Sequence, residues 1–108
     1  MPSVSIRIDD VDSQTSVSGL ELLHQCLENC GGTCELSIIP FRHDDTGKWL
    51  QSLLKFIQDK PRFFLSLHGH SHIKRTDVSE FFGLSKDHQH KLISEGVDLL
   101  SSSDRFIK

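Results

Sequence analysis

Apolar and polar residues alternate in three short segments of this chain, and each segment is followed by apolar residues that recur with helical spacing. The alternation predicts β-strands, and the helical spacing predicts an amphipathic helix after each strand. The predicted strands cover residues 4–8, 33–39 and 62–67, and the predicted helices begin near Ser18, Trp49 and Ser85. This βαβαβα order, with a strand about every 30 residues, predicts an α/β fold with a parallel sheet and right-handed crossovers.

Residues around the predicted helices supply start and stop signals. The expected N-terminal caps are Ser18 with Glu21 as a capping box, Asp44 or Asp45, and Ser85. Gly31-Gly32 is expected to end the first helix. The third strand is almost entirely apolar, which is typical of a strand buried on both faces. Residues 105–108 are expected to form an irregular end or the stub of another strand.

The chain has 108 residues, enough for one domain over residues 1–108 with a modest core. Its formal net charge is -3 and its pI is about 6.1. These values argue against a surface for nucleic acid or for an anionic membrane, since such surfaces need a basic patch. No apolar stretch approaches the roughly 18 residues of a membrane span, and the start lacks the features of a signal peptide. We therefore expect a cytoplasmic protein.

Several side chains are expected to have ordinary structural roles. The three cysteines, Cys26, Cys30 and Cys34, form no C-x-x-C pair. We expect free, partly buried thiols in a reducing compartment, with a metal or redox role as the less favoured alternative. The expected surface histidines are His24, His88 and His90, and the expected packing residues are Trp49, Phe63, Phe64, Phe81 and Phe82.

Two polar patches follow predicted strands. Asp9-Asp10 follows the first strand, and His68-Gly69-His70-Ser71-His72 follows the third. Carboxylates and imidazoles are the usual ligands of a hydrolytic Zn²⁺ or a similar ion. Parallel strands bring both patches to the carboxyl edge of the sheet, so the pattern predicts a metal site there. The alternatives are a pair of solvated acids at a turn and a histidine-rich surface loop.

The spacing of the histidines bears on which of them would bind an ion. His68 and His72 are four positions apart, so their rings converge on a helical turn or in a tight loop. His70 would join them if the stretch were extended, because alternate residues of a strand share a face. His43, after the second strand, lies at the same predicted edge and would supply a substrate contact or a group behind the ligands.

The runs Ser5-Ile6-Arg7-Ile8-Asp9-Asp10-Val11 and Ser66-Leu67-His68-Gly69-His70-Ser71-His72 together resemble the polysaccharide deacetylase (NodB-homology) superfamily, in particular the branch with RIDDV and HG-x-[ST]-H motifs. The similarity extends from about residue 4 to about residue 100 and includes the segment 80–85. The resemblance implies that Asp9 is the catalytic base and that one divalent ion is held by Asp10, His68 and His72. Zn²⁺ is the expected ion, with Co²⁺, Ni²⁺ or Mn²⁺ as alternatives. His70 takes the variable position between the ligands and, with His43, is a candidate for the pocket wall.

The implied activity is metal-dependent hydrolysis of an N-acetyl group on a carbohydrate or another small amide. Members of the superfamily form a distorted (β/α) barrel of seven or so strands, so three βα units correspond to its N-terminal half. The later motifs, which include an arginine that holds the base and a histidine that acts as general acid, have no counterpart after residue 100. A half barrel leaves sheet edges open, and we expect pairing with a second copy or with a separate C-terminal half.

Two other functions remain open at this point. The chain would be an inactive or truncated remnant if it keeps the ligands but lacks the acid and the substrate cleft, and metal binding without turnover would distinguish that case. A calcineurin-like phosphoesterase is less favoured. Gly69-His70-Ser71-His72 fits its G-H-x-H signature, but its early D-x-H and its G-N-H-[DE] motifs are missing from this sequence.

Overall fold

Three strands and three helices alternate along the chain in a computed structural model that describes residues 4–43, 46–71, 80–81 and 83–107. The elements are β1 (Ser5–Val11), α1 (Val17–Cys30), β2 (Thr33–Ile38), α2 (Trp49–Ile57), β3 (Phe63–Leu67) and α3 (Lys86–Leu100). The strands form one parallel sheet in the order β1-β2-β3. The predicted α/β fold with a parallel sheet is therefore confirmed. None of the helices in these described ranges is long and apolar enough to cross a membrane.

The core lies between the helices and one face of the sheet. Alternate strand residues share a face, and those of the core are Cys34, Leu36, Ile38, Phe63 and Leu65. The helices add their buried residues to the same cluster, and these are Leu20, Leu27, Leu50, Leu53, Ile57 and Leu100. Because all three helices contribute to this one cluster, they pack on the same face of the sheet.

The opposite face of the sheet is polar. Its residues in register are Arg7, Glu35 and Phe64 in one row and Ser37 and Ser66 in the next. Phe64 is 36% exposed, so the prediction that β3 is buried on both faces is wrong. The near-continuous apolar run was the reason for that prediction, but the described helices all cover the other face. Arg7 of this polar face is two residues before Asp9 of the predicted site.

The helix caps agree with the prediction at some ends only. Ser85 caps α3 by accepting from His88 N, and Gly31, in the left-handed conformation, ends α1 as expected. At the start of α1 the cap is Ser16, whose hydroxyl accepts from Gly19 N at 3.1 Å, so the prediction of Ser18 is wrong. The N-cap position of α2 is Lys48, with no side-chain capping bond. Asp44 and Asp45, predicted as caps, lie outside the described residues.

His24 is buried in α1 and does not lie on the surface, so its predicted exposure is wrong. Its side chain is 3% exposed, its Nε2 accepts from Arg62 N at 3.3 Å, and its ring lies 5.2 Å from that of Phe63. His24 is four positions after Leu20, and residues with this spacing lie on one helix face. The spacing from Leu20 therefore indicates that His24 lies on the buried face of α1. His88 and His90 are exposed as predicted.

The end of the chain adds a short contact to the free side of β3. Phe106 forms a parallel bridge with Leu65, because Leu65 N donates to Arg105 O and Ile107 N donates to Leu65 O. The predicted stub of a further strand is thus present as a single bridge. Gly96 allows α3 to lie close to the sheet, because a Cβ atom at position 96 would be only 2.6 Å from a methyl carbon of Leu67.

The three cysteines are free, and they differ in exposure. Cys26 and Cys30 are exposed, whereas Cys34 is buried in β2. Burial raises the pKa of the Cys34 thiol from its ordinary value of 9.0 to about 11. The thiolate is the reactive form of cysteine. Cys34 is therefore expected to be unreactive near neutral pH.

We predict that a thiol reagent at pH 8 modifies Cys26 and Cys30 in the folded protein and reaches Cys34 only after denaturation. Unfolding at high pH releases the Cys34 proton, because the unfolded thiol ionises at a lower pH than the folded one. Stability should therefore fall as the pH rises from about 9 toward 11, by roughly 2–3 kcal/mol. Mass spectrometry of labelled protein and unfolding curves of wild type and Cys34→Ala measure both effects. Rapid labelling of Cys34 in the folded state would contradict its burial.

Candidate metal centre

A bulge at the end of β1 presents the two aspartates. Ile8 pairs with Leu36 and Val11 pairs with Ile38, so Asp9 and Asp10 together lie opposite one residue of β2. Asp10 has a φ of 60°, in the left-handed region that aspartate tolerates better than most residues. The prediction that the strand ends at residue 8 is therefore wrong. Bulges occur next to active sites because they redirect side chains, and here Asp9 lies beside Arg7 while Asp10 lies beside His68.

Asp9 is held by an arginine of its own strand. Arg7 Nε lies 2.7 Å from Asp9 Oδ1 and also donates to Ser37 Oγ at 2.9 Å. Ser37 is fully buried, and its hydroxyl is 3.0 Å from that of Ser66 on β3. Glu35 lies 3.4 Å from the same arginine nitrogen. This network crosses all three strands and gives the Asp9 carboxylate a partner on the polar face of the sheet, where the Arg7 and Asp9 side chains are each more than half exposed.

Asp10 and His68 meet across the carboxyl edge of the sheet. Asp10 Oδ1 lies 3.2 Å from His68 Nε2, although the two residues belong to β1 and to the loop after β3. His68 is held in place by its backbone, since His68 N donates to Ile38 O at 2.7 Å. Its side chain is 26% exposed and that of Asp10 is 52% exposed, so the pair is open to solvent. The structure therefore brings together two of the three predicted ligands.

His72, the third predicted ligand, lies outside the described residues. Within the ranges that are described, no group of three or more histidine, cysteine, aspartate or glutamate side chains is arranged to hold a metal ion. The prediction that Asp10, His68 and His72 form one ligand set thus stays a prediction, with the geometry of its first two members known.

His70 faces the third helix. Its Nε2 lies 2.9 Å from Glu95 Oε2 on α3, and its ring stacks on Phe41 with the centroids 4.3 Å apart. The ring is 17% exposed. These contacts connect the loop after β3 to α3 and to the segment after β2. The predicted role of His70 in a pocket wall remains untested.

His43 lies at the same edge but pairs with a different acid. Its Nε2 is 3.9 Å from Asp12 Oδ2, and Arg42 approaches that same oxygen at 3.8 Å. His43 has a φ of 64° and an exposed side chain. The structure thus associates His43 with Asp12, in the loop between β1 and α1, and its predicted part in a substrate pocket stays a prediction.

Three residues that the sequence reasoning did not assign to the site contact it. Arg7 was visible in principle, because residues two apart on a strand share a face. Glu80 and Glu95 contact His70 from 10 and 25 positions further along the chain. Glu80 lies in the segment 80–85 that is part of the resemblance, whereas Glu95 belongs to no motif. The resemblance implies that an arginine of a later motif holds the base, and in this structure Arg7 of β1 lies beside Asp9.

A cavity of about 310 Å³ lies beside the loop between β1 and α1, which contributes Asp12, Ser13 and Thr15 to its lining. It is bounded by α1 and α2, and its apolar lining includes Val11, Leu20, Trp49, Leu53 and Phe56. Asp10 and His68 do not line this cavity. Asp12, the partner of His43, is the acid that does line it.

Comparisons with protein-family models, with curated proteins and with solved structures find no match to this chain. The resemblance to polysaccharide deacetylases therefore stays an expectation from the two motifs and the segment 80–85.

Proposed function

We propose that this chain is a metal-dependent hydrolase of the carbohydrate-deacetylase type, which acts on the C–N bond of an N-acetyl group or another small amide. In this proposal Asp10, His68 and His72 hold one divalent ion, Zn²⁺ in the first instance, and Asp9 is the catalytic base. His70 and His43 border the substrate pocket. The observation that carries the proposal is the approach of Asp10 to His68.

The geometry of that pair suits a shared ion. Two ligand atoms that bind one zinc ion tetrahedrally at about 2.0–2.1 Å lie about 3.3 Å apart. Asp10 Oδ1 and His68 Nε2 are separated by 3.2 Å. A hydrogen bond between the two groups has a similar length, so metal binding itself has to be measured.

Asp9 is the proposed base for a water molecule at the same edge. Arg7 Nε–H donates to Asp9 Oδ1 and orients the carboxylate, whose second oxygen can accept a proton. A bound divalent ion would polarise the substrate carbonyl and lower the pKa of a water molecule. Asp9 would accept a proton from a water molecule that attacks the carbonyl carbon, in the role of general base, and a proton would pass to the amine nitrogen as the C–N bond breaks. Asp9 and Asp10 are adjacent at the bulge in β1 but have different partners. In this proposal Asp10 therefore binds the ion while Asp9 accepts the proton.

The first test is metal binding by wild type and by His68→Ala. Wild type is expected to bind one Zn²⁺ per chain, as measured by elemental analysis and calorimetry. Loss of an outer-shell partner alone typically weakens metal binding by about 10–100-fold. His68→Ala removes a ligand, so we expect its affinity to fall by more than about 100-fold.

His88→Ala is the matched control, because His88 is an exposed histidine on α3 and should not affect the ion. Equal zinc affinity in wild type and His68→Ala would contradict the assignment of the ligands. One bound Zn²⁺ in wild type with no release of acetate from any acetylated substrate would favour the inactive remnant over the enzyme.

The proposal includes a cytoplasmic location and an assembly with a second copy or with a complementary half. The free cysteines support a reducing compartment, in which thiols stay reduced. β1 supports the assembly, because among the described strands it pairs with β2 alone and keeps one unpaired edge. The native mass of the metal-loaded protein, measured with the metal content, tests the assembly.

A further inference from the structure

We infer that Glu80 is a positioning residue that holds the metal-binding loop in shape through its backbone. The inference rests on the proposed metal site and adds to it a residue outside both sequence motifs. It concerns the segment from His68 to Ser71, which we call the histidine loop.

The Glu80 carboxylate binds two consecutive backbone amides of the histidine loop. His70 N donates to Glu80 Oε1 at 3.0 Å, and Ser71 N donates to Glu80 Oε2 at 3.1 Å. The Ser71 hydroxyl also donates to Oε2, at 3.3 Å. Hydrogen bonds to an ionised acceptor are about twice as strong as those between neutral groups. Both oxygens of one side chain are thus used to fix two peptide units.

Those two peptide units lie between the ligand positions. His68 precedes the bound amides by two residues, and Ser71 is covalently joined to His72. The spacing of imidazole nitrogens around an ion depends on the backbone between the two histidines. A residue that holds amides 70 and 71 therefore constrains the backbone that follows His68.

Other hydrogen bonds hold the histidine loop in place in addition to those of Glu80. His68 N donates to Ile38 O, and Phe41 N donates to His70 O at 3.0 Å. The His70 ring bonds Glu95 of α3. These contacts attach the loop to β2 and α3, and Glu80 is the side chain that binds the amides next to position 72.

A carboxylate is required for this arrangement. In Glu80→Gln, the amide oxygen can still accept from one backbone N–H, but the amide nitrogen is a donor and opposes the other N–H. In Glu95→Gln, the amide oxygen can still accept from His70 Nε2. The two substitutions remove the same charge from two acids that contact the histidine loop, and they differ in how many hydrogen bonds they leave.

The experiment measures Zn²⁺ affinity of wild type, Glu80→Gln and Glu95→Gln by competition with a chromophoric chelator, together with the visible spectrum of the Co²⁺-loaded proteins. Glu80→Gln should bind Zn²⁺ about 10–100-fold more weakly, which is the typical loss when a residue that supports the metal ligands is replaced. Its Co²⁺ bands should shift, because the ligand geometry changes. Glu95→Gln should lose less than about threefold and keep the wild-type spectrum.

A second measurement does not depend on whether the variant folds. In metal-free wild type, the amides of His70 and Ser71 should exchange slowly with deuterium, because Glu80 already binds them. Fast exchange of both amides would overturn the inference. So would equal affinity and equal Co²⁺ spectra in wild type and Glu80→Gln. Absence of zinc binding in wild type would instead overturn the proposed metal site itself.

Discussion

Asp9→Asn is expected to abolish the metal-dependent release of acetate and to leave the metal content of the protein unchanged. The asparagine amide can accept the hydrogen bond from Arg7, but it cannot take a proton from the attacking water. General acid–base catalysis typically contributes about 10²–10⁴-fold, and we expect a loss of turnover of that size. The measurement is acetate release from N-acetylated sugars with added Zn²⁺ or Co²⁺, with the metal content of the same sample.

Asp10→Asn is the companion variant, and its effect should differ in kind. Asp10 faces His68 at 3.2 Å, so replacing its carboxylate should weaken metal binding and lose turnover together. If Asp9→Asn keeps full activity, the roles of the two acids are wrong even if the metal site is right. If both variants lose metal, the proposed division of roles between Asp9 as base and Asp10 as ligand is wrong.

Phe63→Ala is expected to destabilise the protein by about 3–5 kcal/mol, the usual cost of removing a buried phenylalanine ring. Phe63 is fully buried among the core residues of the sheet and lies against the ring of His24. This loss is a large part of the 5–15 kcal/mol that stabilises a typical domain. Unfolding by urea, monitored by circular dichroism, measures it.

Phe64→Ala is the matched control, since the same substitution is made one position further along the same strand. Phe64 lies on the polar face of the sheet and is 36% exposed, so we expect a loss of less than about 1 kcal/mol. Equal effects of the two substitutions would mean that β3 is covered on both faces. A larger effect at Phe64 would mean that the strand presents its other face to the helices.

The order of the secondary structure elements followed from local pattern alone. Alternation and helical spacing, with the glycines after α1 and the serine before α3, located three strands and three helices to within a few residues. A βαβαβα order also implies a parallel sheet, because the crossover helices allow little else. The prediction that two distant acidic and histidine segments share one sheet edge depended on the same rule, and Asp10 and His68 do meet there.

The faces of the sheet were decided by the tertiary structure. Phe63 and Phe64 are the same type of residue within one apolar run, and only Ser66, two positions after Phe64, indicates that Phe64 lies on the polar face. The helices all pack on the side of Phe63, and this makes the other face polar and leaves Phe64 exposed. Burial is a property of the whole assembly of elements, so a single apolar run could not reveal it.

The details of the candidate site also required the folded chain. The sequence determined which residue types could bind an ion or a proton, and it determined the strand ends that carry them. Contacts between elements far apart in the chain decided three features of the site. These are the bulge at Asp9 and Asp10, the contact of Arg7 with Ser37, and the binding of two loop amides by Glu80. Local residue patterns carry information about neighbours within a few positions, whereas these contacts depend on how β1, β2, β3 and α3 pack together.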